Sequence, residues 1–255
     1  AEDIYAENGM RKKMELLKKA SKTITISDYN KGHCAEKYGM KNVAVIHDSI
    51  DVYKFQSTET KTNGKIICVC RFVEQKGAEY LIRACKILQG RGVRFALTLI
   101  GGGPLKDRYE RLIKDYKLQR DITLKGPLIQ EEVIRELDNA IIFVLPCVIL
   151  ENCERDILPN VLKEAMAMEI PVITSNICGI GELVEHNGSG FLVPPQNPAA
   201  IADTIEKLMK DQGLREMFGK KGRKKIEEEF NIKKESKKLE EIFKEATLSS
   251  PYQFH

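Results

Sequence analysis

The sequence lacks the segments that would insert it into a membrane or direct it to export. No apolar stretch among its 255 residues approaches the roughly 20 that a membrane-spanning helix needs. The N-terminus also lacks the charged segment followed by an apolar one that is typical of a signal peptide. These absences predict a soluble protein that is cytoplasmic or peripheral at the membrane. The start at Ala1, directly in a helical pattern, indicates a piece of a longer chain.

Cysteine spacing typical of a zinc site is also absent. The seven cysteines form no Cys-x2-Cys pair, and no histidine stands at zinc-finger spacing from them. Cys68 and Cys70 lie in the apolar run KIICVC, where cysteine behaves as a small buried hydrophobe. We therefore expect no metal site, and the odd number of cysteines favours a reducing compartment.

The chain has little net charge. Its 41 basic and 37 acidic residues leave a formal charge of +4, which gives little support to a nucleic-acid partner. The most basic segment, KKGRKK at 220–225, falls in a helical pattern near the C-terminus. Such runs favour solvated helix faces over a membrane-surface or nucleic-acid patch.

Apolar runs and amphipathic helices alternate along most of the chain, which predicts an α/β fold with a doubly wound, Rossmann-like parallel sheet. The runs are apolar throughout, as in strands that are covered on both faces. Residues 1–56 look like the end of a preceding unit and 57–64 like a linker, followed by the main unit over 65–228 and a C-terminal crossover helix and tail over 229–255. Helices are predicted near 8–20, 29–38, 76–89, 105–117, 130–138 and 159–168, and strands from Thr23, Val43, Ile66, Phe95, Ile122, Ile141 and Pro171.

In an open parallel sheet the ligand site lies beyond the carboxyl ends of the strands. The loop after IICVC places Arg71 at such an end and Lys76 at the opening of the next helix. Two cations near a helix N-terminus are suited to an anion. The alternative is that both side chains are exposed and solvated.

Two further loops at this edge carry weaker signals. Three glycines, 101–103, precede Pro104, and this departs from the dinucleotide-binding pattern, so a tight strand-to-helix turn is favoured. Residues Gly126, Pro127 and Leu128 form a turn that can line a base pocket.

The fourth loop, 146–158, is long and leads into a helix, which is typical of functional loops. Pro159 suits the first helical position, which leaves the N–H groups of Asn160, Val161 and Leu162 free to meet an anion. Glu164 lies on an apolar helix face, where its carboxylate is suited to bind hydroxyl groups. Asp156 lies in the loop at the same end. The alternatives are a surface glutamate in a salt bridge and a helix-capping aspartate.

These motifs together resemble the retaining glycosyltransferases of family 4, which have the two-domain GT-B architecture. The resemblance runs from about Lys22 to Glu245. It is carried by SDYN (27–30), VIHDSID (45–51), Arg71 with Lys76 and Gly77, GGGP (101–104), DILPNVLKEAMAM (156–168), PVITS (171–175) and GFLVPP (190–195).

The resemblance implies that this chain is the donor-binding part of a hexosyltransferase-type enzyme of polysaccharide or glycoconjugate synthesis. Its substrates would be a UDP-, GDP- or ADP-sugar and a saccharide or lipid-linked hydroxyl acceptor, with retention at the anomeric carbon and without a cofactor or metal. The implied catalytic residues are Arg71 and Lys76 on the donor diphosphate and Asp156 near the transferred sugar. The implied donor-binding residues also include Glu164 on the ribose, Gly126, Pro127 and Leu128 at the base, and Asn160 and Val161 at the helix N-terminus.

The sequence departs from the family at four positions where glycine is usual, namely Asp48, Ser49, Ile157 and Glu169. A left-handed backbone at any of them would cost about 1–2 kcal/mol. The family's N-terminal acceptor domain would precede residue 1, so this chain alone is expected to bind donor without turning it over.

Two other functions remain open at this point. The missing half and the departures at Ile157 and Glu169 are compatible with a non-catalytic nucleotide-sugar-binding subunit. The glycine cluster and the sheet are compatible with an NAD-dependent oxidoreductase.

Overall fold

The computed structural model describes residues 15–57 and 64–248. Its N-terminal part contains strand β1 (Thr23–Thr25), helix α1 (Asp28–Tyr38) and strand β2 (Val43–Val45). The two strands pair in parallel as a small separate sheet. Most of the helix predicted near 8–20 and all of the predicted linker except residues 57 and 64 lie outside the described residues.

The main unit is built on a six-stranded parallel sheet in the order β5-β4-β3-β6-β7-β8. Its strands are β3 (Lys65–Val69), β4 (Leu97–Ile100), β5 (Ile122–Lys125), β6 (Ala140–Leu145), β7 (Val172–Ser175) and β8 (Gly190–Val193). Every residue of β4, β6 and β7 is buried, as expected for strands with helices on both faces. The predicted α/β class and parallel sheet are confirmed.

A helix follows each strand of this unit, and after β8 three helices follow one another. The helices are α2 (Ala78–Gly90), α3 (Lys106–Asp115), α4 (Gln130–Asp138), α5 (Asn160–Ala167), α6 (Ile180–Leu183), α7 (Pro198–Lys210), α8 (Gln212–Glu229) and α9 (Ile232–Leu248). No helix within 15–57 or 64–248 is long and apolar enough to cross a membrane.

The chain changes direction within the sheet between β3 and β6. From β3 it moves outward through β4 to β5, and from β6 it moves the opposite way through β7 to β8. Right-handed crossovers therefore put α2 and α3 on one face and α4 and α5 on the other. The loops after β3 and β6 flank this switch point, where open α/β sheets bind their ligands.

Local boundaries differ from the predictions at three places. A 3-10 turn (Glu74–Lys76) precedes α2, so Lys76 lies before the helix and not in it. Pro159 is the N-cap of α5 and not its first helical residue. Strand β8 was not predicted as a strand, although its four residues belong to the motif GFLVPP.

The C-terminal helices return to the N-terminal part of the chain. The Ile50 N–H donates to the Phe230 carbonyl, and the Ile232 N–H donates to the Ile50 carbonyl, both at 3.0 Å. Arg223 donates to the carbonyls of Phe55 and Ala167, each at 2.6 Å. This cation therefore links α8 both to the segment after β2 and to the end of α5.

The four positions where the family usually has glycine differ in backbone conformation. Glu169 has a φ of 56°, so this side chain does occupy a left-handed position. Asp48, Ser49 and Ile157 are not among the described residues with positive φ. Ile157 is buried, and its side chain packs beside Gly179. The strain of a left-handed backbone is therefore present at Glu169 and absent at the other three positions.

Gly77 joins the loop after β3 to the loop after β6. It has a φ of 65°, and a Cβ atom built on it overlaps the Pro146 carbonyl oxygen. The adjoining loops are also tied by a 2.9 Å hydrogen bond from the Val148 N–H to the Gln75 carbonyl. Only glycine permits this close approach with this backbone conformation.

We predict that Gly77→Ala lowers the free energy of unfolding by about 2 kcal/mol or more, because the backbone must shift to relieve the overlap. Urea denaturation measures the change. Gly90→Ala is the matched control, since Gly90 ends α2 and a Cβ there meets nothing within 4 Å. Equal stability of the two variants would contradict the assigned role of Gly77.

Candidate functional site

The loop after β3 presents a cation that no described residue neutralises. Its backbone is held by hydrogen bonds from the Val73 N–H to the Arg71 carbonyl and from the Phe72 N–H to the Gly102 carbonyl, both at 2.9 Å. The Arg71 side chain is exposed and forms no hydrogen bond or ion pair within the described parts of the chain. A guanidinium on a fixed backbone is therefore available to an anion.

Lys76, in contrast, is paired. Its Nζ lies 2.6 Å from Oδ1 of Asp156, and each side chain is only 18% exposed. Burial alone would lower the pKa of Lys76, but the facing Asp156 carboxylate outweighs it, and the pKa is raised. Lys76 therefore remains charged, which contradicts the alternative of a solvated side chain.

Cys147 holds the other oxygen of the same carboxylate. Its thiol donates to Oδ2 of Asp156 at 3.4 Å, and the residue is fully buried. Burial raises the pKa of this thiol well above its ordinary value, so the thiol stays protonated and can donate. Asp156 is thus fixed from both sides and is not the N-cap of α5, which is Pro159.

The N-terminus of α5 opens at the same edge of the sheet. The N–H groups of Asn160 and Val161 have no hydrogen-bond acceptor in the described residues. The Leu162 N–H donates to the Pro159 carbonyl at 3.1 Å, so two of the three N–H groups predicted to be free remain so. Unpaired N–H groups and the helix dipole make this end suited to a negative charge.

Glu164 lies one turn into α5 and is partly buried. Burial raises the pKa of this carboxyl, and the neighbouring Lys163 offsets part of the effect. Its carboxylate has no hydrogen bond or ion pair in residues 15–57 and 64–248. The alternative of a glutamate in a surface salt bridge is therefore wrong.

Lys163 is a structural cation that the sequence analysis missed. It is fully buried and donates to Oδ1 of Asn160 at 2.7 Å and to the backbone carbonyl of Asp48. Burial lowers its pKa, and the nearby Asp48 carboxylate, 3.6 Å away, offsets part of this shift. Lys163 therefore links α5 to the loop after β2. Its three-residue spacing from Asn160 was the only local signal.

The glycine-rich loop after β4 is a packing element. A Cβ atom on Gly101 would overlap the Cys70 carbonyl, and one on Gly103 would lie 2.7 Å from the Phe72 carbonyl. Gly102 lies against Pro127 in the loop after β5. These contacts favour the tight turn over a dinucleotide-binding loop, because they account for all three glycines.

The predicted site residues lie at one edge of the sheet but differ in proximity. Lys76 and Asp156 are in direct contact, and Asn160, Val161 and Glu164 lie on the helix that follows the Asp156 loop. The turn formed by Gly126, Pro127 and Leu128 follows β5, which lies two strands from β3 in the sheet. Its contact with the loop after β3 is indirect, because Pro127 packs against Gly102 in the glycine-rich loop. The binding roles assigned to the site residues remain predictions.

We predict that Glu164→Gln increases the free energy of unfolding at pH 7. The raised pKa means that the native state holds the Glu164 proton more tightly than the unfolded chain does. The native state therefore loses stability as the pH rises through the pKa of Glu164 in the folded protein. Glutamine does not ionise, so the gain should vanish below about pH 4, where Glu164 of the wild type is protonated in both the native and the unfolded state. Urea denaturation at both pH values measures this difference.

Glu131→Gln on α4 serves as the control, because Glu131 is exposed and should show no such gain. A Glu164→Gln variant less stable than the wild type at pH 7 would instead indicate a stabilising partner for Glu164.

Curated relatives of this chain include bacterial glycosyltransferases. The chain is 33% identical over 223 residues to the putative colanic acid biosynthesis glycosyltransferase WcaL of Escherichia coli K12, covering 85% of this chain and 55% of that protein. It is 37% identical over 178 residues to the amylovoran biosynthesis glycosyltransferase AmsK of Erwinia amylovora, covering 70% and 44%. The chain thus spans about half the length of the curated relatives it matches.

Solved structures share the fold at lower identity. A glycosyltransferase from Rickettsia africae superimposes with a TM-score of 0.82 at 23% identity, over 95% of this chain and 68% of that one. HepE from Anabaena, in complex with UDP, gives a TM-score of 0.82 at 17% identity, over 96% and 71%.

A family model matches most of the main unit. The model is that of the glycosyl transferases group 1, and it covers residues 49–225, which include all of the predicted site. The match extends over more than half of the chain, and the relatives agree with it. The chain therefore belongs to the group 1 glycosyl transferases.

Proposed function

We propose that this chain is the donor-binding half of a family 4 retaining glycosyltransferase. The proposed enzyme transfers a sugar from a nucleoside diphosphate sugar to a hydroxyl acceptor. The observation that carries the proposal is the combination of an unpaired Arg71, the Lys76–Asp156 pair and the open N-terminus of α5 at one switch point.

The diphosphate is assigned to the cationic part of this site. Arg71 has no competing carboxylate among the described residues, and Lys76 stays charged because Asp156 raises its pKa. The N–H groups of Asn160 and Val161 add two neutral donors. When the bond from the anomeric carbon to the diphosphate oxygen breaks, its electron pair leaves with the diphosphate. Preorganised donors at such a developing charge are worth about 3–4 kcal/mol each.

The hydroxyl groups of the donor are assigned to the two carboxylates. Glu164 is partly buried and has no partner in the described chain, so a ribose hydroxyl would provide the missing hydrogen bond. Asp156 is held by Lys76 and Cys147 and would meet the transferred sugar with little loss of side-chain entropy. Gly126, Pro127 and Leu128 would border the base.

The known relatives support the nucleotide-sugar donor and leave its base open. HepE was solved with UDP and glucose, whereas a mycobacterial relative that is 29% identical over 160 residues is named as a GDP-mannose-dependent mannosyltransferase. The names of WcaL and AmsK favour a polysaccharide as the product. We assign acceptor binding to a further part of the enzyme, corresponding to the part of the relatives that this chain does not match.

The two rival functions have less support. The oxidoreductase was suggested by glycines 101–103, which the packing of the loop now explains. The non-catalytic subunit was suggested partly by Ile157, whose backbone is not left-handed. Of the two departures behind that suggestion, only Glu169 is strained, and it lies beyond the far end of α5.

We predict that Arg71→Ala weakens the binding of the preferred nucleoside diphosphate by about tenfold or more, because a charge-assisted bond to phosphate is lost. Isothermal titration calorimetry of the chain with UDP, GDP and ADP identifies the preferred base and measures the loss. Arg94→Ala is the matched control, since Arg94 is exposed and precedes β4 at the opposite edge of the sheet.

Equal affinity of the wild type and Arg71→Ala would contradict the assignment of the diphosphate. Binding of NAD in place of all three nucleoside diphosphates would instead favour the oxidoreductase.

A further inference from the structure

A group of three metal-ligating side chains shares no residue with the Lys76–Asp156 pair. It consists of Asp28 at the start of α1, His47 in the loop after β2 and Glu182 in α6. One ligand atom from each residue lies within 4.8 Å of the other two. Asp28 is exposed, and His47 and Glu182 are partly buried, so the group is open to ions from solvent.

The two carboxylates of this group lack a counter-charge. Neither Asp28 nor Glu182 forms an ion pair in residues 15–57 and 64–248. Glu182 accepts hydrogen bonds from the backbone N–H groups of Asp28, at 2.9 Å, and Tyr29, at 2.6 Å. These bonds orient Glu182 and offset part of its charge, whereas the Asp28 carboxylate accepts no hydrogen bond from the part of the chain that the structure describes. Two like charges this close favour a bound cation.

The imidazole of His47 is held by one hydrogen bond and one ring contact. Its Nδ1 lies 3.2 Å from the backbone carbonyl oxygen of Glu229, and its ring packs against Phe230 with 4.7 Å between the centroids. A carbonyl oxygen can only accept, so in the neutral imidazole Nδ1 carries the hydrogen and Nε2 is the nitrogen left for a metal ion. Metal-binding histidines use this same outer hydrogen bond to fix the tautomer and the ring.

The backbone around His47 is also fixed. Its N–H donates to Oε2 of Glu235 at 2.8 Å, and Glu235 is buried and paired with Lys238 at 2.6 Å. The Glu235 carboxylate lies on the Nδ1 side, 4.0 Å from that nitrogen. The support for the ring therefore comes from α9 and the end of α8, while the candidate ligands come from α1 and α6.

We propose that Asp28, His47 and Glu182 bind one divalent transition-metal ion, for which Zn²⁺ is the best match. One imidazole nitrogen and two carboxylate oxygens are ligands that Zn²⁺ accepts, with water in the fourth position. Tetrahedral ligands lie about 3.3 Å apart around zinc, and the three ligand atoms here all lie within 4.8 Å of one another.

The bound ion would join three separate segments of the chain. It would hold the N-terminal part and the loop after β2 against α6 of the main unit. No step of the proposed sugar transfer passes through it, because the ligands do not include Arg71, Lys76, Asp156 or Glu164. The inference therefore stands or falls independently of the proposed function.

Isothermal titration calorimetry with ZnCl₂ tests this site in the chain after dialysis against EDTA. The parent protein should carry Cys153→Ser, because Cys153 is an exposed thiol that can bind zinc by itself. We expect one equivalent to bind, and His47→Ala and Asp28→Asn each to weaken it by about tenfold or more. At the same concentration, Zn²⁺ should also raise the Tm of the parent by more than that of either variant.

His186→Ala is the matched control, because His186 is an exposed histidine outside the group and its loss should not change the affinity. Asp28→Asn changes an exposed side chain and keeps the hydrogen bond from the backbone N–H of residue 28 to Glu182, so the variant should fold. No saturable binding by the parent, or equal binding by the parent and both ligand variants, would overturn the proposal.

Discussion

The contact between Gly77 and Pro146 determines how the rest of the site is arranged. It brings the loop after β3 against the loop after β6 at the point where the chain reverses direction in the sheet. The residue before Gly77 is Lys76, and the residue after Pro146 is Cys147. Both therefore reach Asp156, one at each carboxylate oxygen. A side chain at position 77 would separate the groups that this arrangement joins.

The site combines satisfied and unsatisfied charges, and the two kinds have different consequences. The Lys76–Asp156 pair and the buried Lys163 have partners and hold the loops and α5 in place. Arg71 and Glu164 have none in the described chain, and burial raises the pKa of Glu164. A native state that keeps such a carboxylate loses stability at neutral pH. This cost is typical of binding sites, where groups are arranged for a ligand and not for folding.

The sequence predicted those features that depend on local pattern. Apolar runs predicted the parallel strands, and the position of Arg71 after such a run placed it at the carboxyl edge. Other features depend on contacts between distant segments and had no local signal. The Cys147 thiol resembled other buried cysteines until its partner Asp156 was known. The group formed by Asp28, His47 and Glu182 contains no spacing that suggests a metal site, because each residue comes from a different segment. The sequence left open whether the backbone is left-handed where the family usually has glycine: it is at Glu169 and is not at Ile157, since a usual glycine does not by itself determine φ.

A crystal structure of the chain with its preferred nucleoside diphosphate tests the central claim most directly. The account predicts that the diphosphate lies between Arg71, Lys76 and the N-terminus of α5, with the ribose hydroxyls donating to Glu164. The base should then lie beside residues 126–128. A nucleotide bound at any other edge of the sheet, or one that leaves Arg71 and Glu164 without contact, would contradict it.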